Sequence, residues 1–132
     1  MIEKRRAGIE GQRATRQFAI VVDGRPAGFI QTYLVTDHPE WDEIVQVGAG
    51  VAGVDLLIGE PDLVGRGLGP QALERFARDV VFADPAVHAV VATVEEPNHR
   101  SRRAFEKAGF RHVRDVEEDG LPHCLFRLDR VS

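Results

Sequence analysis

At 132 residues the chain has room for one domain around one core, and a hydrophobic content of 43% marks it as globular. A formal net charge of -4 argues against non-specific binding to nucleic acid, and no N-terminal apolar run reads as a signal peptide or a membrane span. The single cysteine, Cys124, cannot close an internal disulfide, so a reducing, cytoplasmic setting fits and Cys124 reads as a packing residue of the last strand.

In chain order, residues 1–15 are a polar stub. Arg16–Val22 and residues 27–34 are β-rich runs separated by Asp23-Gly24-Arg25-Pro26, which is turn chemistry and predicts a hairpin. Residues 35–50 read as an irregular acidic segment, and Val51–Ile58 as the next strand. A glycine-rich loop, Val64-Gly65-Arg66-Gly67-Leu68-Gly69-Pro70, then leads into a helix beginning at Pro70. Along it Leu73, Phe76, Ala77, Val80 and Val81 recur at helical spacing and form one apolar face, until Asp84-Pro85 ends the helix. Residues 89–94 predict a strand, 101–108 a second helix, 110–116 a strand and 122–128 the last strand, entered through a turn at Asp119-Gly120. No repeat or linker divides residues 1–132, which read as one domain.

The glycine loop is built to hold a pyrophosphate. Glycines at 65, 67 and 69 permit backbone angles that a Cβ forbids, so successive N–H groups can converge at the positive end of the following helix. A Walker loop would need Lys and then Ser or Thr after its last Gly, where Pro70 and Gln71 stand. The dinucleotide fingerprint would need G-x-G-x-x-G early in a βαβ unit. The loop instead resembles the coenzyme A loop of the GCN5-related N-acetyltransferases, whose pattern is Arg or Gln, x, x, Gly, x, then Gly or Ala. Val64 stands where that family often has Arg or Gln, a departure that removes one side-chain contact and leaves the backbone cradle. Asn98, Ser101, Phe105 and the run Phe105-Glu106-Lys107-Ala108-Gly109-Phe110 match the family's later signature. Asn98 as an N-cap and Gly109 as a helix stop are the plainer readings of two of these residues, and both roles can hold together.

The resemblance covers about residues 16–130. It implies an α/β fold with a mixed, mostly antiparallel central sheet of about six strands and helices packed on it. The fold would be shortened at its N-terminus, since the family's first strand and the two helices after it have no counterpart beyond the polar stub. It also implies transfer of an acetyl group from acetyl-coenzyme A to a primary amine, by direct attack in a ternary complex and with no metal. The strands before the loop and after the first helix would splay, and Leu56, Leu57 and Ile58 would offer backbone groups to the pantetheine arm. An N–H near Leu56 or Leu57 would polarise the thioester carbonyl. Val64, Gly65, Arg66, Gly67, Leu68 and Gly69 would hold the pyrophosphate, helped by Arg66 and by Arg100, Arg102 or Arg103. Asn98 would bond the arm and Ser101 would leave room for it. Phe105 stands where many members carry a Tyr acid, and it has no proton to give.

Asp55 interrupts an apolar strand, where burying an unpaired carboxylate is costly enough to suggest a role, and it is the candidate acceptor-binding carboxylate and general base. An outward-facing strand acid is the plainer reading. Gly53-Val54-Asp55 and its spacing to the loop look most like the aminoglycoside 6'-N-acetyltransferases. Four carboxylates around Trp41, with Asp37 and Trp41 foremost, suit a polycationic acceptor, although an acidic loop is also a common solvated loop. An acid that those enzymes use falls here on Thr93 or Val94, with Glu95 or Glu96 as substitutes. Two alternatives stay open: an N-acyltransferase of siderophore or lysine-type amines, suggested by residues 56–61, and a coenzyme A-binding module without catalysis. The missing N-terminal elements would leave Arg16–Val22 as an open sheet edge, and a homodimer is the expected remedy.

Overall fold

The structure, a computed structural model, describes residues 2–4, 15–59 and 67–131. Among them seven strands form one sheet, in the order β1-β2-β3-β4-β5-β7-β6. The strands are β1 Ile2–Lys4, β2 Arg16–Val22, β3 Arg25–Leu34, β4 Val51–Ile58, β5 Ala89–Glu95, β6 Arg111–Glu118 and β7 Leu121–Asp129. All neighbours are antiparallel except β4 and β5, as a mixed sheet requires. Three helices join them: α1 Pro39–Val45, α2 Leu68–Phe76 and α3 His99–Lys107. No helix among the described residues is long and apolar enough to cross a membrane.

The hairpin at residues 23–24 forms, with both Asp23 and Gly24 at positive φ. Two sequence expectations fail here. The stub does contain a strand, β1, which pairs through Ile2, Glu3 and Lys4 with Ile20, Ala19 and Phe18, so β2 is not an open edge at that level. The acidic segment is not wholly irregular, because α1 lies within it. Pro39 occupies its first turn, where a missing donor costs little, and Glu40 and Asp42 sit beside its positive end. At seven residues α1 is too short to show a period, and its fully buried anchor is Val45.

The two sheet faces are packed differently. On one, α2 and α3 cover a core in which Ile30, Val54, Leu73, Phe76, Val90, Phe105 and Phe126 meet. Phe76 is fully buried and meets the Phe18 ring edge-on at 5.2 Å. The apolar face predicted for α2 is the one it buries, and beyond Phe76 the helix widens into a π turn over Ala77–Val81. On the other face α1 covers a smaller cluster of Val35, Val45, Val51, Ala89, Val91 and Leu125, with Trp41 and Ile44 against it. Period-two alternation along β4 sends Ala52, Val54, Leu56 and Ile58 to the first face, and Gly53, Asp55 and Leu57 to the second. Gly53 is required where it stands, since a Cβ there would lie 2.6 Å from the Tyr33 ring and 2.8 Å from that of Trp41.

Candidate active site

Among the described residues the sheet has one parallel pair, β4 and β5, and it is forked there. β3 and β4 stay in register from Leu34 and Ala52 to Gly28 and Ile58, whereas β4 and β5 pair only from Val51 and Ala89 to Gly53 and Val91. Beyond Gly53, β4 continues to Ile58 and β5 to Glu95 with a gap between them. Hydrogen bonds fix the phase of β4: Gly59 N–H donates to the Ala27 carbonyl at 2.7 Å, and the Thr32 hydroxyl donates to the Gly53 carbonyl at 2.8 Å. Odd-numbered residues of β4 therefore turn their amides toward β3, and Val54, Leu56 and Ile58 turn theirs toward the fork. This decides between the two amides proposed from sequence: Leu56, not Leu57, presents its N–H to the gap.

The N-terminus of α2 stands beside the fork. A Cβ on Gly69 would lie 3.7 Å from both the Leu56 side chain and Ala104 of α3. Gly67 caps the helix at φ 76°, a left-handed conformation that favours glycine, and no side chain occupies the cap. The N–H groups of Leu68 and Gly69 precede the first intrahelical bond, from Gln71 N–H to the Gly67 carbonyl. Val64, Gly65 and Arg66 lie outside the described residues. Asn98 caps α3, its Oδ1 accepting from the Ser101 N–H at 3.2 Å, so the plainer reading of Asn98 holds. Phe105 is 4% exposed, stacked on Phe126 and edge-on to Phe110, which places it in the core rather than on a surface open to a ligand.

On the opposite face a cavity of about 220 Å³ is lined by Thr15, Gln31, Tyr33, His38, Trp41 and Asp55. Asp55 is exposed in it, so the cost of burying an unpaired carboxylate, which singled it out in the sequence, does not apply. Its position does. Gln31 Nε2 donates to Asp55 Oδ2 at 2.9 Å and the Tyr33 hydroxyl approaches Oδ1 at 3.3 Å. Gln17 Nε2 in turn donates to Gln31 Oε1 at 2.7 Å, so a row of amides across β2 and β3 ends on the carboxylate. Burial, then the charge and hydrogen bond of Asp55, and last the charge of Glu118 raise the Tyr33 phenol far above the ordinary tyrosine range. Tyr33 meets Trp41 edge-on at 5.7 Å and His38 at 4.6 Å, and the buried His38 Nε2 has no hydrogen-bond partner.

Glu118 is the acid that sequence reasoning missed. It arrives from the end of β6, accepts from Trp41 Nε1 and from the Thr93 hydroxyl at 2.9 Å each, and lies 3.7 Å from His123 Nε2. The position without a carboxylate, Thr93, is thus supplied with one from another strand. Glu95 is exposed at the end of β5 and does not line the cavity, nor does Asp37, which closes the 3₁₀ turn before α1. Gln17, Gln31 and Tyr33 were readable in principle, because alternation places them on one face. Glu118 is 77 residues from Trp41 and carried no such signal.

A family model described as an acetyltransferase (GNAT) domain matches residues 2–118. An aminoglycoside N(6')-acetyltransferase type 1 from Klebsiella pneumoniae is 31% identical over 101 residues, which are 75% of this chain and 49% of that protein. The chain therefore spans about half the length of that relative. A kanamycin resistance protein from Rhizobium radiobacter is 34% identical over 80 residues, 61% of this chain and 71% of the relative. Among solved structures, aminoglycoside acetyltransferase AAC(6')-Ib in complex with coenzyme A and kanamycin superposes with a TM-score of 0.81 at 26% identity. That match covers 90% of this chain and 69% of the other.

Proposed function

The chain belongs to the GNAT acetyltransferase family, and from that premise we propose that it transfers an acetyl group from acetyl-coenzyme A to a primary amine of a polycationic, aminoglycoside-type acceptor. The observation that carries the reading is a single step along β4: the Asp55 side chain enters the cavity, and the next amide, that of Leu56, enters the fork. A carboxylate and an N–H donor thereby stand on adjacent residues of one strand.

The residues present fit the cosubstrate: a backbone fork for an extended arm, and a glycine-capped helix N-terminus with free N–H groups for phosphate oxygens. When bound, acetyl-coenzyme A supplies a thioester whose thiolate is a competent leaving group. Asp55 would attract the ammonium form of the acceptor and take its proton, since only the neutral amine attacks. As the new C–N bond formed the C–S bond would break, the nitrogen would shed its second proton to solvent, and the Leu56 N–H would meet the charge that builds on the carbonyl oxygen. With Phe105 in the core, the proton that restores the thiol comes from solvent.

Glu118 supports the polycation. It does not line the cavity itself but is held behind it by Trp41 Nε1, so with Asp55 it adds a second carboxylate to the surroundings of the aromatic wall, and two such charges suit an acceptor with more than one ammonium group. Supporting evidence also comes from the relatives, whose names specify an aminoglycoside acceptor or kanamycin resistance. The proposal includes a homodimer, for which Leu57, 54% exposed on the cavity face, is the apolar surface to cover.

Turnover of acetyl-coenzyme A measured with a panel running from monoamines to aminoglycosides tests the reading. Catalytic efficiency should rise with acceptor charge, and Glu118→Gln should raise KM for the polycation roughly tenfold, the size of one charged hydrogen bond, with kcat kept. Efficiency independent of acceptor charge would favour the lysine-type alternative, and coenzyme A binding without turnover the non-catalytic one.

A further inference from the structure

At the far edge of the sheet, on the helix-covered face, the structure places a second group of chemically capable side chains. We propose that His112, Asp115 and Cys124 form a binding site for a zinc-class divalent cation. Their ligand atoms all lie within 4.8 Å of one another, and among the described residues they are the one such group of three.

Regular alternation would not bring them together. His112 and Asp115 are three apart on β6, so a straight strand would send them to opposite faces. The register with β7 shifts between His112 and Arg114, leaving Val113 as an extra residue. His112 then pairs with Phe126 and Asp115 with Cys124, two β7 positions on one face, and His112 Nε2 comes to 2.7 Å from Asp115 Oδ1. The bulge gains little from Val113, which is 38% exposed. Its effect is to aim the imidazole at the carboxylate and the thiol, and bulges recur where a strand must re-aim a side chain.

One thiolate, one imidazole and one carboxylate are a donor set suited to zinc, which holds such ligands at roughly 2.0–2.3 Å and leaves a fourth position for water. Cys124 supplies the rigid corner, at 1% exposure, while His112 and Asp115 are exposed side chains that can adjust to the ion. Sulfur ligates zinc as the thiolate, so cation entry displaces a proton from Cys124. The bound ion would pin the outermost strand to its neighbour, on the face opposite Asp55 and independently of acetyl transfer.

The experiment is titration of the reduced full chain with Zn²⁺ by calorimetry and with Co²⁺ by absorbance. One equivalent should bind, with proton release and a thiolate-to-cobalt charge-transfer band. His112→Gln, an exposed change that leaves the core intact, should weaken binding at least tenfold, as even indirect partners of a metal do. Cys124→Ser should abolish the band. Asp55→Asn should bind as wild type does. Absence of both heat and band in the wild type would overturn the proposal, as would affinity unchanged in His112→Gln and Cys124→Ser.

Discussion

The two faces of the sheet carry different kinds of side chain on the same strands. Toward α2 and α3, β3 and β4 present Ile30, Ala52 and Val54, all buried, with Leu56 and Ile58 packed against them. Toward the cavity they present Gln31 and Tyr33, both half-buried, and the exposed Asp55, joined by hydrogen bonds. One face holds the larger core, the other a smaller core beside the proposed acceptor site, and alternation lets a single eight-residue strand serve both. The comparison can be broken from either side, because a substitution on one face should leave the property of the other nearly untouched.

The largest effect belongs to the helix-covered face. Phe76→Ala removes a fully buried ring from between α2 and β2 and should cost about 3–5 kcal/mol of folding stability. Denaturant unfolding measures it, and a loss below about 1 kcal/mol would mean that this core collapses around the gap. Asp55→Asn comes next. It keeps the shape and one of the two acceptor oxygens while removing the charge, so turnover should fall by roughly 10²-fold. Stability should move by no more than about 0.5 kcal/mol, because the side chain is exposed. Full turnover in Asp55→Asn would return this residue to an ordinary outward-facing acid.

How much of this was legible in the chain differs between the faces for a physical reason. The covered face announces itself through spacing: Leu73, Phe76, Ala77 and Val81 mark the buried stripe of α2, and the glycines with Asn98 and Phe105 mark the family. The cavity face depends on contacts between residues far apart. Asp55 was visible as a charge in an apolar strand, although the reason given, its burial, was wrong. Trp41 was visible as an aromatic among acids, but its helix was too short to show a period. Glu118 could not be found, since only the order of β5, β7 and β6 brings it over His123 to Thr93 and Trp41. Nor could sequence place β1, whose three residues have no pattern of their own and are defined by pairing with β2.

The smallest effect, and the sharpest reading of the cavity face, is the titration of Tyr33. It is the only tyrosine in the chain, so phenolate absorbance reports this one group. Free tyrosine ionises near pH 10. In the folded protein burial disfavours the phenolate, and the Asp55 carboxylate disfavours it further by charge and by accepting a hydrogen bond from the neutral hydroxyl. The folded value is therefore raised, and the sign follows. The associated stability is present in full below the ordinary tyrosine range and is lost as the pH climbs from there toward the folded value, because the unfolded chain releases its proton first. Native protein should show no phenolate where free tyrosine is half ionised, and its unfolding midpoint in denaturant should decline above about pH 10. Asp55→Asn removes the charge and leaves the burial, so its phenolate should appear at lower pH than in the wild type and still above that of free tyrosine. A native titration at the free-tyrosine value would mean that the hydroxyl is not held against Asp55, and the aromatic wall of the proposed acceptor site would lose its anchor.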